Sequence, residues 1–151
     1  STRWSLMMSE GDAEYLCIAD TDGLHGIAAA SGNLKTVLLS HLQSGLIGVP
    51  ACAWKEFEEL YPYEAEALKS FVSTRIIMKR AYYVGAARIA DKLNSGFPRG
   101  AYDDSVELFP ASIAFAKKCR IVTSPAQIAV YTAMACQASD LDTWVVEHAL
   151  S

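Results

Sequence analysis

No apolar run in the sequence approaches the ~18–20 residues needed to span a bilayer. The N-terminus also lacks the charged-then-apolar pattern of a secretory signal. A membrane is therefore not an expected partner, and the expected location is the cytoplasm. Cysteine is scarce. Cys17, Cys52, Cys119 and Cys136 never fall within five residues of one another, which excludes a CxxC motif and a zinc-ligand pair. Their apolar neighbours suit buried free thiols. The phosphate-binding pattern GxxxxGKS or GxxxxGKT, the dinucleotide pattern GxGxxG, the esterase pattern GxSxG and the metalloprotease pattern HExxH are all missing. His25, His41 and His148 share no ligand spacing. Positive charge is also in short supply. With 13 Lys and Arg against 17 Asp and Glu the net charge is −4, so contact with nucleic acid has to come from a local basic patch.

What is present is a chain of 151 residues, 52% hydrophobic and 20% charged. That length and composition fit one domain with a core of its own, and exclude disorder and low complexity. Residues 1–14 read as a leader or a partly disordered N-terminus, and 15–151 as a single domain.

Short apolar runs alternate with helical patterns along the chain. The run at 15–19 (YLCIA) reads as a buried strand that stops at an acid. Leu24 to Ala30 suits a short helix. Leu34, Val37, Leu38 and Leu42 form the stripe of a second helix, ended by Ser44-Gly45. LIGV at 46–49 reads as a strand, and Pro50 sits correctly before a helix over 51–60. Further helices are expected at 63–71 and 80–94, with a weak strand at 75–78 between them. Residues 95–100 form the clearest loop. Asp103 or Asp104 is placed to cap a helix reaching Lys118, with Pro110 tolerable only near a first turn. CRIVT at 119–123 reads as a strand, 125–137 as a helix with Pro125 first, and TWVV at 143–146 as a last strand. The alternation predicts an α/β fold, a three-layer α/β/α sandwich around a mainly parallel sheet. Ligands of such sheets bind beyond the carboxyl ends of the strands.

Acids stand where those ends fall. Asp20 and Asp22 follow the first strand, Glu56 lies early in the helix after the second, and Glu107, with Asp103 and Asp104 a turn earlier, precedes the CRIVT strand. Carboxylates from separate strand–helix units aimed at one edge repel one another unless a divalent cation joins them. All-oxygen donors favour Mg²⁺ or Mn²⁺. Such an ion acidifies a water and holds a phosphodiester for in-line attack.

Three segments resemble the PIN-domain family, the nuclease fold of many toxin–antitoxin ribonucleases. YLCIADTDGL is similar to the family's opening strand, with its acid at Asp20. LIGVPACAWKEFEEL is similar to its strand, proline and helix, with the acid at Glu56. ELFPASIAFAKKCRIVTS is similar to its late helix and the strand ending in Val-Thr, which puts the third acid at Glu107, with Asp104 the nearest aspartate. The likeness spans about 15–146. It implies a PIN-like fold and a metal-dependent endoribonuclease, a hydrolase of RNA phosphodiesters acting as the toxin of a toxin–antitoxin pair. It also implies Mg²⁺ or Mn²⁺ as cofactor, an antitoxin protein as partner and a homodimer. On this reading Asp20, Glu56, Glu107 and Asp104 are catalytic, and Asp20, Glu56, Glu107 and Asp22 are metal ligands. The sequence departs from the pattern in having Glu107 where the family usually has Asp. Ser124 and Pro125 stand where a fourth acid commonly follows.

Two other readings rest on the same residues. Asp20-Thr21-Asp22-Gly23 after an apolar strand resembles the first motif of haloacid-dehalogenase-type phosphatases, with Asp20 as nucleophile and Asp22 as acid/base. There the hydroxyl motif precedes the late acidic pair, whereas Thr123-Ser124 follows Asp103-Asp104. Alternatively, an eroded acid set leaves a catalytically inactive PIN-like binding module. Among the cations, Arg88 and Lys92 are four apart on one helical face, and with Arg99 they are the expected contacts to nucleic-acid phosphates.

Overall fold

The run at 15–19 forms strand β1, Cys17–Ala19, in a computed structural model that describes residues 14–72, 74–94 and 106–148. Asp20 ends this strand and opens helix α1, Thr21–Ala29. Its backbone is extended (φ −83°, ψ −171°) and its side chain accepts the Gly23 N–H. A carboxylate there satisfies one of the unpaired amides of the first turn and complements the positive end of the helix. The cap starts the helix three residues before the apolar stretch at Leu24.

Helix α2, Gly32–Gln43, buries Leu38 and Leu42 and stops at Ser44-Gly45, where Gly45 takes φ +80°. Strand β2, Ile47–Gly48, leads through Pro50 into α3, Ala51–Leu60, and then α4, Pro62–Leu68. The strand expected at 75–78 reduces to a single parallel bridge between Ile76 and Pro50. In it the Ile76 N–H donates to Val49 O at 2.8 Å and the Ala51 N–H to Ile76 O at 2.9 Å.

Helix α5, Arg80–Asn94, has the limits its sequence predicts. Helix α6, Leu108–Lys117, carries Pro110 third, inside the first turn, where a missing N–H forfeits no helical bond. Its expected caps, Asp103 and Asp104, lie outside the described residues, as do Arg99 and the loop at 95–100. Strand β3, Arg120–Thr123, and helix α7, Pro125–Ala133, follow as expected, although α7 ends four residues early. The C-terminal reading is corrected. TWVV is not a strand; it lies in α8, Leu141–Glu147, and the last strand is β4, Ala138–Asp140. The Thr143 N–H donates to Asp140 Oδ1 at 2.7 Å. That cap, together with burial of Trp144 and Val145, outweighs the β propensity of Trp-Val-Val.

The sheet runs β2-β1-β3-β4, and all three pairings are parallel. Alternation along the strands divides the core between its two faces. Cys17, Ala19 and Val122 join one cluster with Leu24 and Ile27 of α1, Trp54 and Phe57 of α3, and Trp144 of α8. Ile18 and Ile121 join the other with Tyr82 and Ala86 of α5, Ile113 of α6 and Tyr131 of α7. Helices therefore cover both faces, an arrangement compatible with a three-layer sandwich. All four cysteines are free, Cys17 and Cys136 buried and the other two half-buried.

From β1 the chain crosses to β2 on one side and later returns to β3 on the other. This order creates a switch point between β1 and β3, and a crevice beyond their carboxyl ends.

Candidate active site

Asp20 and Thr123, the residues at the carboxyl ends of β1 and β3, meet in that crevice. The Asp20 side chain is only 6% exposed and takes three hydrogen bonds. Gly23 N–H donates to Oδ1 at 2.8 Å, and the Thr123 and Tyr131 hydroxyls donate to Oδ2 at 2.7 and 2.8 Å. Burial pushes its pKa up to about 6, with the Thr123, Gly23 and Tyr131 donors pulling the other way. Tyr131 is held protonated, its pKa raised by burial and then by the Asp20 charge. Two residues on, the Ser124 hydroxyl donates to Asp22 Oδ2 at 2.7 Å.

Gly23 makes this arrangement fit. A Cβ there would collide with the carbonyl oxygen of Val122, so α1 lies against β3 closely enough for Asp20 to reach Thr123. On the other side, the Thr21 hydroxyl donates to Ala53 O at 3.3 Å and ties α1 to α3. Cys52 and Glu56, one helical turn apart on α3, thereby face the same space as Asp20.

That space is a cavity of about 350 Å³. Asp20, Asp22, Glu56 and Glu107 all line it, with Val106, Phe109 and Pro110 forming an apolar wall. Four acids that the sequence separates by up to 87 positions therefore share one pocket. Arg88 and Lys92 do not line it; they belong to a second cavity that shares no lining residue with the first. Asp104 and Arg99 lie outside the described residues. His25 stacks on Tyr61, ring centroids 4.1 Å apart.

Sequence reasoning missed Tyr131. It sits two turns into α7 in an Ala-rich segment, and no local pattern marks it as a partner of Asp20. Thr123 could have been found, because it ends a buried strand where a hydroxyl needs an acceptor. Gln127, whose Oε1 is buried with no hydrogen-bond partner, also lines the cavity.

Among the described residues no three His, Cys, Asp or Glu side chains are grouped so that they could hold a metal ion. The four carboxylates offer only oxygen donors, and the Cys52 thiol beside them is kept protonated by burial. Carboxylate chemistry suits a hard cation that keeps much of its water and takes only one or two carboxylates, as Mg²⁺ does. Fold and site together define a parallel α/β protein with an acidic cavity at its switch point. No family model, curated protein or solved structure matches the chain.

Proposed function

We propose that the protein is a PIN-type, metal-dependent endoribonuclease, the toxin of a toxin–antitoxin pair. The observation that carries this reading is the convergence of Asp20, Asp22, Glu56 and Glu107 on one cavity. The three segments that resemble the PIN family each deliver their acid to that place. The PIN-like form of the sandwich, the homodimer and the antitoxin partner belong to the same proposal.

Asp20, Glu56 and Glu107 would hold Mg²⁺ or Mn²⁺, no more than two of them directly and the rest through its water, with Asp22 and Asp104 as auxiliary carboxylates. A divalent ion bound there supplies neutralising charge and an activated water for attack on phosphorus. The chain's own residues do the positioning. Thr123 and Tyr131 fix the Asp20 carboxylate in one orientation, Ser124 fixes Asp22, and the wall at Phe109 and Pro110 keeps one side of the cavity dry. Arg99 is assigned to the RNA backbone. Arg88 and Lys92 would meet only an RNA that runs on across α5. The phosphatase alternative requires Asp20 to attack phosphorus, a poor role for a carboxylate with one oxygen already taking two hydroxyl hydrogen bonds.

The test is incubation with single-stranded RNA and, separately, with para-nitrophenyl phosphate in Mg²⁺ or Mn²⁺. RNA cleavage that is lost in Asp20→Asn and in Glu56→Gln supports the nuclease. Turnover of the phosphate ester alone, lost in Asp20→Asn, gives the site to the phosphatase. Turnover of neither substrate leaves the binding module.

A further inference from the structure

The second cavity, about 460 Å³, lies between α5 and α6 and abuts the turn that ends α7. On α5 its lining falls on one stripe, Ala81, Gly85, Arg88, Ile89, Lys92 and Leu93. At 1.5 Å per residue that stripe is roughly 18 Å long, so the space is a trough rather than a bowl. Its floor is low because Gly85 has no side chain to set against Ser112 of α6. The Ser112 hydroxyl is turned away into the helix pair, donating to Tyr82 O at 2.6 Å. Apolar side chains make the walls, and Phe115 is left 48% exposed to water.

The charges of the two cavities are opposite. Among the described residues four carboxylates line the first and none lines the second, where Arg88 and Lys92 are the charged members. Both are exposed, on adjacent turns, and among the described residues neither is hydrogen-bonded or ion-paired. The volume lies within the ~300–1,000 Å³ of small-ligand pockets, which are mostly apolar with a few placed polar groups. A long apolar trough with two cations at its rim complements a ligand with an apolar chain and one anionic end.

We propose that the trough between α5 and α6 binds a free fatty carboxylate. Its chain lies along the α5 stripe against Phe115, and its carboxylate sits between the Arg88 guanidinium and the Lys92 ammonium. Arg88 offers a planar fork that matches a carboxylate, and Lys92 a point charge. The assignment does not depend on the nuclease reading, since the two cavities share no residue.

Isothermal titration of dodecanoate into the full chain, below its micellar concentration, tests the proposal beside dodecyltrimethylammonium, acetate and phosphatidylglycerol vesicles. One dodecanoate is expected per chain, bound at least tenfold more tightly than dodecyltrimethylammonium, with no measurable binding of acetate. The double variant Arg88→Glu, Lys92→Glu is expected to reverse the order of the two surfactants. Ala116→Trp, which fills the trough from α6, is expected to abolish binding of both. Circular dichroism of each variant checks that the fold is retained. Equal binding of the two surfactants overturns the proposal, as does dodecanoate affinity unchanged by charge reversal. Binding to vesicles but not to free dodecanoate would give the trough to a membrane surface. Displacement of dodecanoate by a ten-residue oligouridylate would return the two cations to RNA. Either result overturns the proposal.

Discussion

The Tyr131 hydroxyl donates to Asp20 Oδ2 at 2.8 Å across 111 positions of sequence. This bond joins the first strand to the seventh helix and holds a buried carboxylate in place beside the cavity. Replacing Tyr131 with Phe removes one donor and nearly no volume. The loss of a hydrogen bond to a charged group is expected to destabilise the protein by about 2 kcal/mol at pH 7.5. At pH 4.5, where Asp20 is protonated, the loss is expected to be smaller. Urea unfolding at the two pH values measures both.

Asp20 itself makes stability depend on pH in an unusual direction for an aspartate. Its pKa rises from 3.8 to about 6 on folding. The folded state therefore binds the proton more readily than the unfolded one, and the contribution is fully present below pH ~4 and lost as pH rises through ~6. The shift corresponds to about 3 kcal/mol. Asp20→Asn removes this term while other groups titrate alike in both proteins. The variant is expected to gain on wild type by about that amount between pH 4 and pH 7.5, measured by denaturant unfolding. A difference that stays constant across this range would contradict the assignment.

Gly23→Ala places a methyl group against the Val122 carbonyl. Helix α1 then has to lift from β3, and a loss of about 3 kcal/mol is expected, as in other overpacked interiors. Because α1 carries Asp20 at its start, ligand binding at the acidic cavity is expected to weaken as well. Thermal unfolding and titration of the purified variant check the two effects.

Asp140→Ala removes the acceptor of the Thr143 N–H at the start of α8. A loss of about 1 kcal/mol is expected, the usual effect of deleting an N-cap. Helical content should fall slightly and the acidic cavity should be unaffected, because Asp140 does not line it. Circular dichroism and denaturant unfolding follow the change.

The helices with strong amphipathic stripes or clear punctuation were legible from the residues. Helices α3 and α5 have the limits their sequences predict, because Pro50 opens the one and Ser95-Gly96 follows the other. Ambiguity lay where a cap outweighs propensity. Asp20 pulls α1 back to Thr21, and Asp140 turns Trp-Val-Val into helix. β4 escaped notice because Ala-Ser-Asp has little strand propensity and becomes a strand only through pairing with β3. The convergence of Asp20, Asp22, Glu56 and Glu107 could be expected, since Asp20 and Asp22 follow β1, Glu107 opens α6 and Glu56 lies on the helix that follows β2. Of the two hydroxyl partners of Asp20, Tyr131 depends on tertiary packing of α7, whereas Thr123 ends the neighbouring strand β3. Arg88 and Lys92 show the limit of the same reasoning: their shared helical face was readable, but not which cavity that face borders.

Asp20, Glu56 and Glu107 are proposed to serve one cation site. Titration of Mn²⁺ into wild type, Asp20→Asn, Glu56→Gln and Glu107→Gln at pH 7.5, followed by calorimetry, tests it most directly. One ion per wild-type chain is expected, with an affinity at least tenfold weaker in each variant. Wild-type protein that binds no Mn²⁺, or three variants that bind it as tightly as wild type, would contradict it.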